Sequence, residues 1–359
     1  AFNPGGVFTN RLAHIEIRYG TDFGLHLAGF DYDQVTVTNF DDIVPDVLPN
    51  TCVAQAVAPA ALAVDTAGNT VMEPGELATM APTWRNVGAS SITLTGATSA
   101  FTGPAGGTYT NPDNAASYGT IGVAAQQSCS TSGNCYSVQA TAATRPVTHW
   151  DSTILETVTP SATTKTWTLH IGASFTDVPT SSGFYRFIET IVHKNVTGGC
   201  SATAYCPTNS TTREQMAVFV LVSKEPAGYV PPACGATPMF ADVPVTSPFC
   251  RWVEELANRG VVSGCGGGNY CPSSPATREQ MAVFVLRTLD PALNPPACGT
   301  PMFGDVPAAS PFCKWIEELA RRGVVTGCGG GNYCPTANVS REQMSVFLAV
   351  TFGLTLYGL

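Results

Sequence analysis

The chain has 359 residues, 44% hydrophobic and only 12% charged, with 26 acidic against 17 basic side chains and a net charge of -9. That length exceeds one ordinary core and predicts two or more domains, and the low charge with high hydrophobic content argues against long disordered stretches. The acidic surplus argues against a nucleic-acid partner, and no run of roughly 18 apolar residues is present to span a membrane.

The imbalance is uneven, with 13 acidic and 5 basic residues in 1–172 against 13 and 12 in 173–359. Thirteen cysteines without a single CxxC pair point to an oxidising, extracellular compartment where thiols become disulfides. Because Ala1 is not preceded by an apolar leader, the chain reads as the mature form of a secreted protein after signal cleavage, an expectation that follows from the cysteines.

In residues 1–50, Ile15, Ile17 and Tyr19, then Leu25 and Leu27, then Val35 and Val37 alternate with polar residues. Two or three strands are expected there, either completing the next domain or forming a β-rich arm that pairs with a neighbouring subunit's sheet edge. Residues 51–172 are rich in Thr, Ser, Ala, Gly and Val, with short alternating stretches at 91–95, 136–140 and 164–170 between Gly, Pro and Asn clusters. This pattern predicts an immunoglobulin-like β-sandwich. The segment AVDTAGNTVMEPGELATMAPTWRNVG resembles the opening of bacterial surface immunoglobulin-like domains. Asp65, Asn69, Glu73 and Glu76 offer closely spaced oxygen ligands for a calcium ion, and the same residues also read as a solvated turn. No cofactor beyond that ion is required. Cys129 and Cys135 are expected to bond locally, which leaves Cys52 unpaired, as an intermolecular bridge or a free thiol.

From Phe175 the chain repeats itself three times. FTDVP, FADVP and FGDVP begin at Phe175, Phe240 and Phe303, spacings of 65 and 63 residues, and define repeats over 173–226, 227–290 and 291–359. Phe184, Phe187, Ile188 and Ile191 form an i, i+3, i+4, i+7 stripe that recurs at Phe249, Trp252, Val253 and Leu256 and at Phe312, Trp315, Ile316 and Leu319. In the second repeat Ser247 and Pro248 are expected to start this helix and Gly260 to end it. Glu255 with Arg259, Glu317 with Arg321 and Glu318 with Arg322 then read as a solvated face. A second helix begins at Thr212, Thr277 and Ser340, each with a capping-box glutamine at Gln215, Gln280 or Gln343. Its buried face carries Met216, Met281 and Met344 as core rather than as metal ligands.

Cysteines follow the repeat. Cys200 and Cys206, Cys265 and Cys271, and Cys328 and Cys334 bracket short loops, while Cys234 and Cys298 precede helix cysteines Cys250 and Cys313. The first repeat lacks both members of the latter pair, with Tyr185 at the helix position, and joint absence implies that Cys234 pairs with Cys250 and Cys298 with Cys313. An all-thiolate zinc site is the competing reading, disfavoured because short knuckle spacings are missing. GCGGGN lacks the Lys-Ser/Thr ending of a phosphate loop.

FxDVP, the aromatic amphipathic helix, GVVxG, the aromatic-x-P turn and T-R-x-x together closely resemble the S-layer homology domain, over about residues 173–350. The resemblance implies three mainly helical modules in a pseudo-threefold arrangement whose grooves hold a cell-wall polysaccharide. It places the family's sugar-contacting arginine at Arg213, Arg278 and Arg341, and a guanidinium fork suits carboxylate-bearing sugars. The chain departs from the family in having TREQ or SREQ for TRAE, and in its added cysteines.

His14, His26, His149, His170 and His193 show neither HExxH spacing nor a partner nucleophile, and Glu16 and Asp151 read as ordinary strand or loop residues. The expectation is a secreted, non-catalytic bacterial surface protein that binds a surface polysaccharide and associates with itself in a lattice or filament. The alternative is a carbohydrate-binding or adhesion accessory of a secreted enzyme system. Asn195, Asn209 and Asn338 lie in N-glycosylation sequons.

Overall fold

A computed structural model describes residues 56–359; the strands expected in the N-terminal arm, and Cys52, lie outside the described residues. Nine strands come first: β1 (Val57–Val64), β2 (Leu77–Asn86), β3 (Ile92–Thr102), β4 (Thr108–Asp113), β5 (Ala115–Ile121), β6 (Gln126–Ser128), β7 (Tyr136–Thr141), β8 (Asp151–Thr159) and β9 (Thr163–His170). They form two antiparallel sheets, one ordered β1-β2-β7-β4 with β6 added on β2, the other β5-β3-β8-β9. Inward residues of both sheets alternate with exposed ones, which is the pattern of a sandwich with a single apolar layer between its sheets. Trp84 of the first sheet meets Trp167 of the second edge-to-face, with ring centroids 6.3 Å apart.

One acid sits inside that layer. Glu156 on β8 is fully buried and accepts hydrogen bonds from Trp84 Nε1 (3.2 Å), Trp167 Nε1 (2.6 Å), the Tyr136 hydroxyl (2.7 Å) and the Tyr118 hydroxyl. Two donors come from each sheet, so the carboxyl ties the sheets together. Burial raises its pKa, and the four hydrogen bonds only partly offset that. Gly96 on β3 leaves the room: a Cβ there would stand 2.0 Å from the Tyr136 hydroxyl oxygen.

Six helices follow: α1 (Tyr185–His193), α2 (Arg213–Lys224), α3 (Cys250–Asn258), α4 (Arg278–Leu289), α5 (Cys313–Arg321) and α6 (Arg341–Thr351). Helices α2, α4 and α6 each open with a complete capping box, in which Thr212, Thr277 or Ser340 and the glutamine three residues on bond each other's backbone N–H. Met216, Met281 and Met344 on these helices are fully buried in the core. The amphipathic helices start later than the sequence suggests. Phe249, not Ser247, occupies the N-cap of α3 without a side-chain cap, while the Ser247 hydroxyl accepts the Phe249 N–H (3.2 Å) in a turn that precedes the helix.

The acids of α3 and α5 do more than face solvent. Arg259 bonds Glu255, Arg321 bonds Glu317 and Arg322 bonds Glu318, as their spacing of four predicts. In addition Glu254 and Glu317 accept the backbone N–H of Met239 (2.9 Å) and Met302 (3.1 Å), and Arg259 also reaches Glu225. The segment leading into each FxDVP motif runs back across the helix, which turns part of this face inward.

Helices α2, α4 and α6 pack on one another at the centre, and the amphipathic helices lie outside them. The packing is cyclic: α2 carries α3 of the next repeat, α4 carries α5, and α6 carries α1. Disulfides join Cys129–Cys135, Cys200–Cys206, Cys234–Cys250, Cys265–Cys271, Cys298–Cys313 and Cys328–Cys334, the six pairs expected from the sequence. In the first repeat Tyr185 stands where the others have a bridged cysteine, and its hydroxyl accepts the Ala173 N–H (2.7 Å), holding α1 to the segment leaving the sandwich. Tyr357 closes the assembly by donating its hydroxyl to the His170 carbonyl (2.9 Å) and accepting the Met72 N–H (3.3 Å). None of the described helices is long and apolar enough to cross a membrane.

Candidate functional site

The three repeats meet around a common axis through a ring of backbone bonds just ahead of the capping boxes. Thr211 donates its N–H to the Val339 carbonyl, Val339 to Ala276 and Ala276 to Thr211, each at 2.9 Å, and all three residues are fully buried. Each residue satisfies its successor, so no repeat can leave without exposing two unpaired backbone groups.

Arg213, Arg278 and Arg341 follow immediately and lie in the three seams. Arg213 Nε donates to the Tyr270 carbonyl (2.9 Å), Arg278 Nε to Tyr333 (2.8 Å) and Arg341 Nε to Tyr205 (2.7 Å). Each tyrosine hydroxyl donates back to the carbonyl of the same arginine, at 2.9, 2.8 and 2.7 Å in the same order. Every guanidinium lies over that tyrosine, 4.7 to 4.8 Å from the ring centroid, and faces Phe284, Phe347 or Phe219 on its other side. Each arginine thus belongs to its own seam. Burial lowers the pKa of Arg213 and Arg341. Gln280 accepts Arg213 Nη1 (3.4 Å) in addition to closing its capping box, and Arg341 Nη2 is buried with no protein hydrogen-bond partner.

The aspartate of FxDVP holds the tyrosine in place. Asp177 accepts the N–H of Tyr205 and of Cys206 (both 2.8 Å), Asp242 those of Tyr270 and Cys271 (both 2.7 Å), and Asp305 those of Tyr333 (2.8 Å) and Cys334 (2.7 Å). The cysteines sit at φ between 58° and 59°, a left-handed conformation that non-glycine residues seldom adopt, and the bidentate carboxylate sustains it. The repeat itself was the signal for these aspartates, since each DVP recurs with its YCP.

Asp65, Asn69, Glu73 and Glu76 form a hydrogen-bonded turn. Asp65 accepts the Thr70 N–H (3.2 Å), Asn69 the Val71 N–H (2.9 Å) while donating to Glu73 (2.7 Å), and Glu76 accepts the Glu73 N–H (2.9 Å).

A different cluster comes from residues that the sequence shows as unremarkable. Asp151 opens β8, and its carboxylate meets His149 Nε2 (2.8 Å), His170 Nδ1 (3.0 Å) and His193 Nδ1 (3.1 Å). His170, fully buried at the end of β9, turns its Nε2 to Glu189 of α1 (2.7 Å), which also accepts the N–H and hydroxyl of Ser174. Asp151 is therefore a hub between the sandwich and the first repeat rather than an ordinary strand residue. Burial alone would raise its pKa, but the three imidazoles outweigh that and hold it well below the usual carboxylate range. The histidines stand 21 and 23 residues apart in the chain, so no local spacing could have revealed the group.

With this geometry in place, the comparison with known proteins is decisive for the helical part. The profile of the S-layer homology domain matches residues 174–217, 240–282 and 303–345.

The chain carries three S-layer homology domains.

They follow an all-β domain that fits the immunoglobulin-like class. Among similar proteins, the surface-layer 125 kDa protein of Lysinibacillus sphaericus is 30% identical over 121 residues, 33% of this chain and 10% of that one. S-layer protein EA1 of Bacillus anthracis is 27% identical over 128 residues, 36% of this chain and 14% of that one. An endoglucanase of Bacillus sp. (strain KSM-635) is 25% identical over 176 residues, 47% of this chain and 18% of that one. The chain thus spans less than a fifth of each of these relatives. Three S-layer homology domains, six disulfides and S-layer proteins among the relatives mark an extracellular protein of the cell surface.

Proposed function

We propose that the protein is a non-catalytic structural component of the bacterial surface, held by its S-layer homology ring to a cell-wall polysaccharide and associating with itself in a lattice or filament. The observation that carries this reading is the closed ring of three S-layer homology domains, with an arginine bonded across each of its three seams. Arg341 Nη2, buried without a protein partner, is a donor suited to a carboxylate-bearing sugar entering the seam. Arg213 and Arg278 hold the equivalent positions in the other two seams.

Co-sedimentation of the full chain with purified cell walls tests anchoring. Retention on intact walls, lost when the non-peptidoglycan polysaccharide is extracted, is expected. Equal retention before and after extraction would remove the polysaccharide from the proposal. Electron microscopy of the purified protein tests assembly: ordered arrays or filaments are expected, and monomers at every concentration would exclude them.

The partial similarity to an endoglucanase favours a second reading, an accessory that brings a secreted enzyme system to carbohydrate. Hydrogen exchange of the full chain with glycans separates the two. Protection in the seams at Tyr205, Tyr270 and Tyr333 supports anchoring, and protection confined to the sandwich supports the accessory role.

A further inference from the structure

We propose that His149, Asp151 and His193 form a binding site for a divalent transition-metal ion of the zinc class, at the junction between the sandwich and the first S-layer homology domain. His149 Nε2 stands 2.8 Å from one carboxylate oxygen of Asp151, His193 Nδ1 stands 3.1 Å from the other, and the ligand atoms of all three residues lie within 4.8 Å of one another. Zinc bonds nitrogen and carboxylate oxygen at about 2.0–2.2 Å, which separates neighbouring tetrahedral ligands by about 3.3 Å. The two imidazole-to-carboxylate spacings would open by roughly 0.2 to 0.5 Å, while the two imidazole nitrogens, which face different oxygens of Asp151 and lie within 4.8 Å of each other, would converge on the ion. The two imidazole rings lie nearly parallel, 14° apart, at 6.1 Å between centroids.

The donor set selects the metal. Two imidazoles and one carboxylate suit zinc, nickel or cobalt, whereas calcium and magnesium require a shell of oxygens. The remaining coordination position is open to water, since the side chains of His149, Asp151 and His193 are 30, 25 and 11% exposed. Behind them stands a buried support: His170 bonds Asp151 through Nδ1 and Glu189 through Nε2, and Glu189 is fixed by Ser174. Outer partners of this kind orient metal ligands and set affinity. Four other groups in the described residues bring cysteine sulfur near an acid, at Cys234–Cys250, Cys265–Cys271, Cys298–Cys313 and Cys328–Cys334. Their sulfurs are spent in disulfides, so among these groups of the described residues the histidine site alone keeps ligand atoms outside a covalent bond.

The site spans two domains. His149 and Asp151 belong to the sandwich and His193 ends α1, so a bound ion would clamp the junction alongside Arg145, which donates to the carbonyls of Ile171 (2.7 Å) and Gly172 (2.6 Å).

The test uses tag-free full chain carrying Cys52→Ser, stripped with a chelator and titrated calorimetrically with zinc chloride, with metal content measured after desalting. One zinc per chain is expected, reversed by chelator, with affinity reduced about tenfold or more in His149→Gln and in His193→Gln. Near-ultraviolet circular dichroism confirms that both variants are folded. Cobalt loading should give the visible absorption of a tetrahedral nitrogen and oxygen site, absent from both variants. Sub-stoichiometric zinc in the parent, or equal binding in parent and folded variants, would overturn the proposal and leave the cluster as a hydrogen-bonded hub.

Discussion

Tyr205 and Arg341, 136 residues apart, exchange two hydrogen bonds: the tyrosine hydroxyl donates to the arginine carbonyl and the arginine Nε to the tyrosine carbonyl, each at 2.7 Å. This pair joins the third S-layer homology domain to the first and makes the array a ring rather than an open stack. Arg213 with Tyr270 and Arg278 with Tyr333 make the same exchange in the other two seams.

Equivalence of the seams predicts equal responses. Tyr205→Phe leaves the Arg341 carbonyl buried without its donor and should cost about 1–3 kcal/mol. Tyr270→Phe and Tyr333→Phe should cost the same within error in chemical unfolding. A loss confined to one variant would show that the ring is held unevenly.

Disulfide contributions should scale with the loop each closes. Replacing both Cys234 and Cys250, separated by 16 residues, with serine removes about 3 kcal/mol in the chain-entropy account. The same change at Cys200 and Cys206, separated by 6, removes about 2 kcal/mol. Unfolding free energies from urea titration, with the slope fitted for each double variant because loss of a cross-link lets the unfolded chain expand, provide the comparison.

Gly96→Ala drives a methyl into the Tyr136 hydroxyl and should destabilise the sandwich by about 1–3 kcal/mol. Tyr136→Phe removes the hydroxyl and also one bond to Glu156. In the double variant the two losses should sum to less than their separate values, because the shortest contact is gone and only the approach to Glu156 Oε1 at 2.8 Å remains. Strict additivity in thermal unfolding would place the alanine's cost elsewhere.

Glu156 predicts a sign for the acid side of the stability profile. Its folded pKa lies above the unfolded value, so between the two the native state holds the proton that the unfolded state has released. Stability from this group therefore falls as pH rises through that window and is recovered on acidification. Glu156→Gln should flatten that slope while costing about 1–3 kcal/mol overall, since its amide cannot accept from all four donors. Unfolding free energies of parent and variant from acid to neutral pH give the difference, and parallel curves would contradict the assignment.

Local relationships were readable and distant ones were not. The capping boxes at Thr212, Thr277 and Ser340 span three residues, the loop disulfides span six, and the apolar stripes repeat every turn, so each is written in neighbouring letters. Strands at 91–95, 136–140 and 164–170 were legible through alternation and became parts of β3, β7 and β9. Ser247 misled because serine before proline favours a helix start, and here the chain makes one more turn before the helix begins.

The sequence by itself determined the caps, the loop disulfides and the β-rich domain, because these follow from patterns within a few residues, and its threefold repetition determined the S-layer homology domains and, through joint absence in the first repeat, the pairs Cys234–Cys250 and Cys298–Cys313. Only the tertiary structure decided that the domains close on themselves and that the arginines lie in the seams. It also brought His149, Asp151, His170, Glu189 and His193 together, although Asp151 and His193 are 42 residues apart. Which surfaces meet depends on how each repeat buries the face its neighbour leaves open, and that is a property of the whole ring.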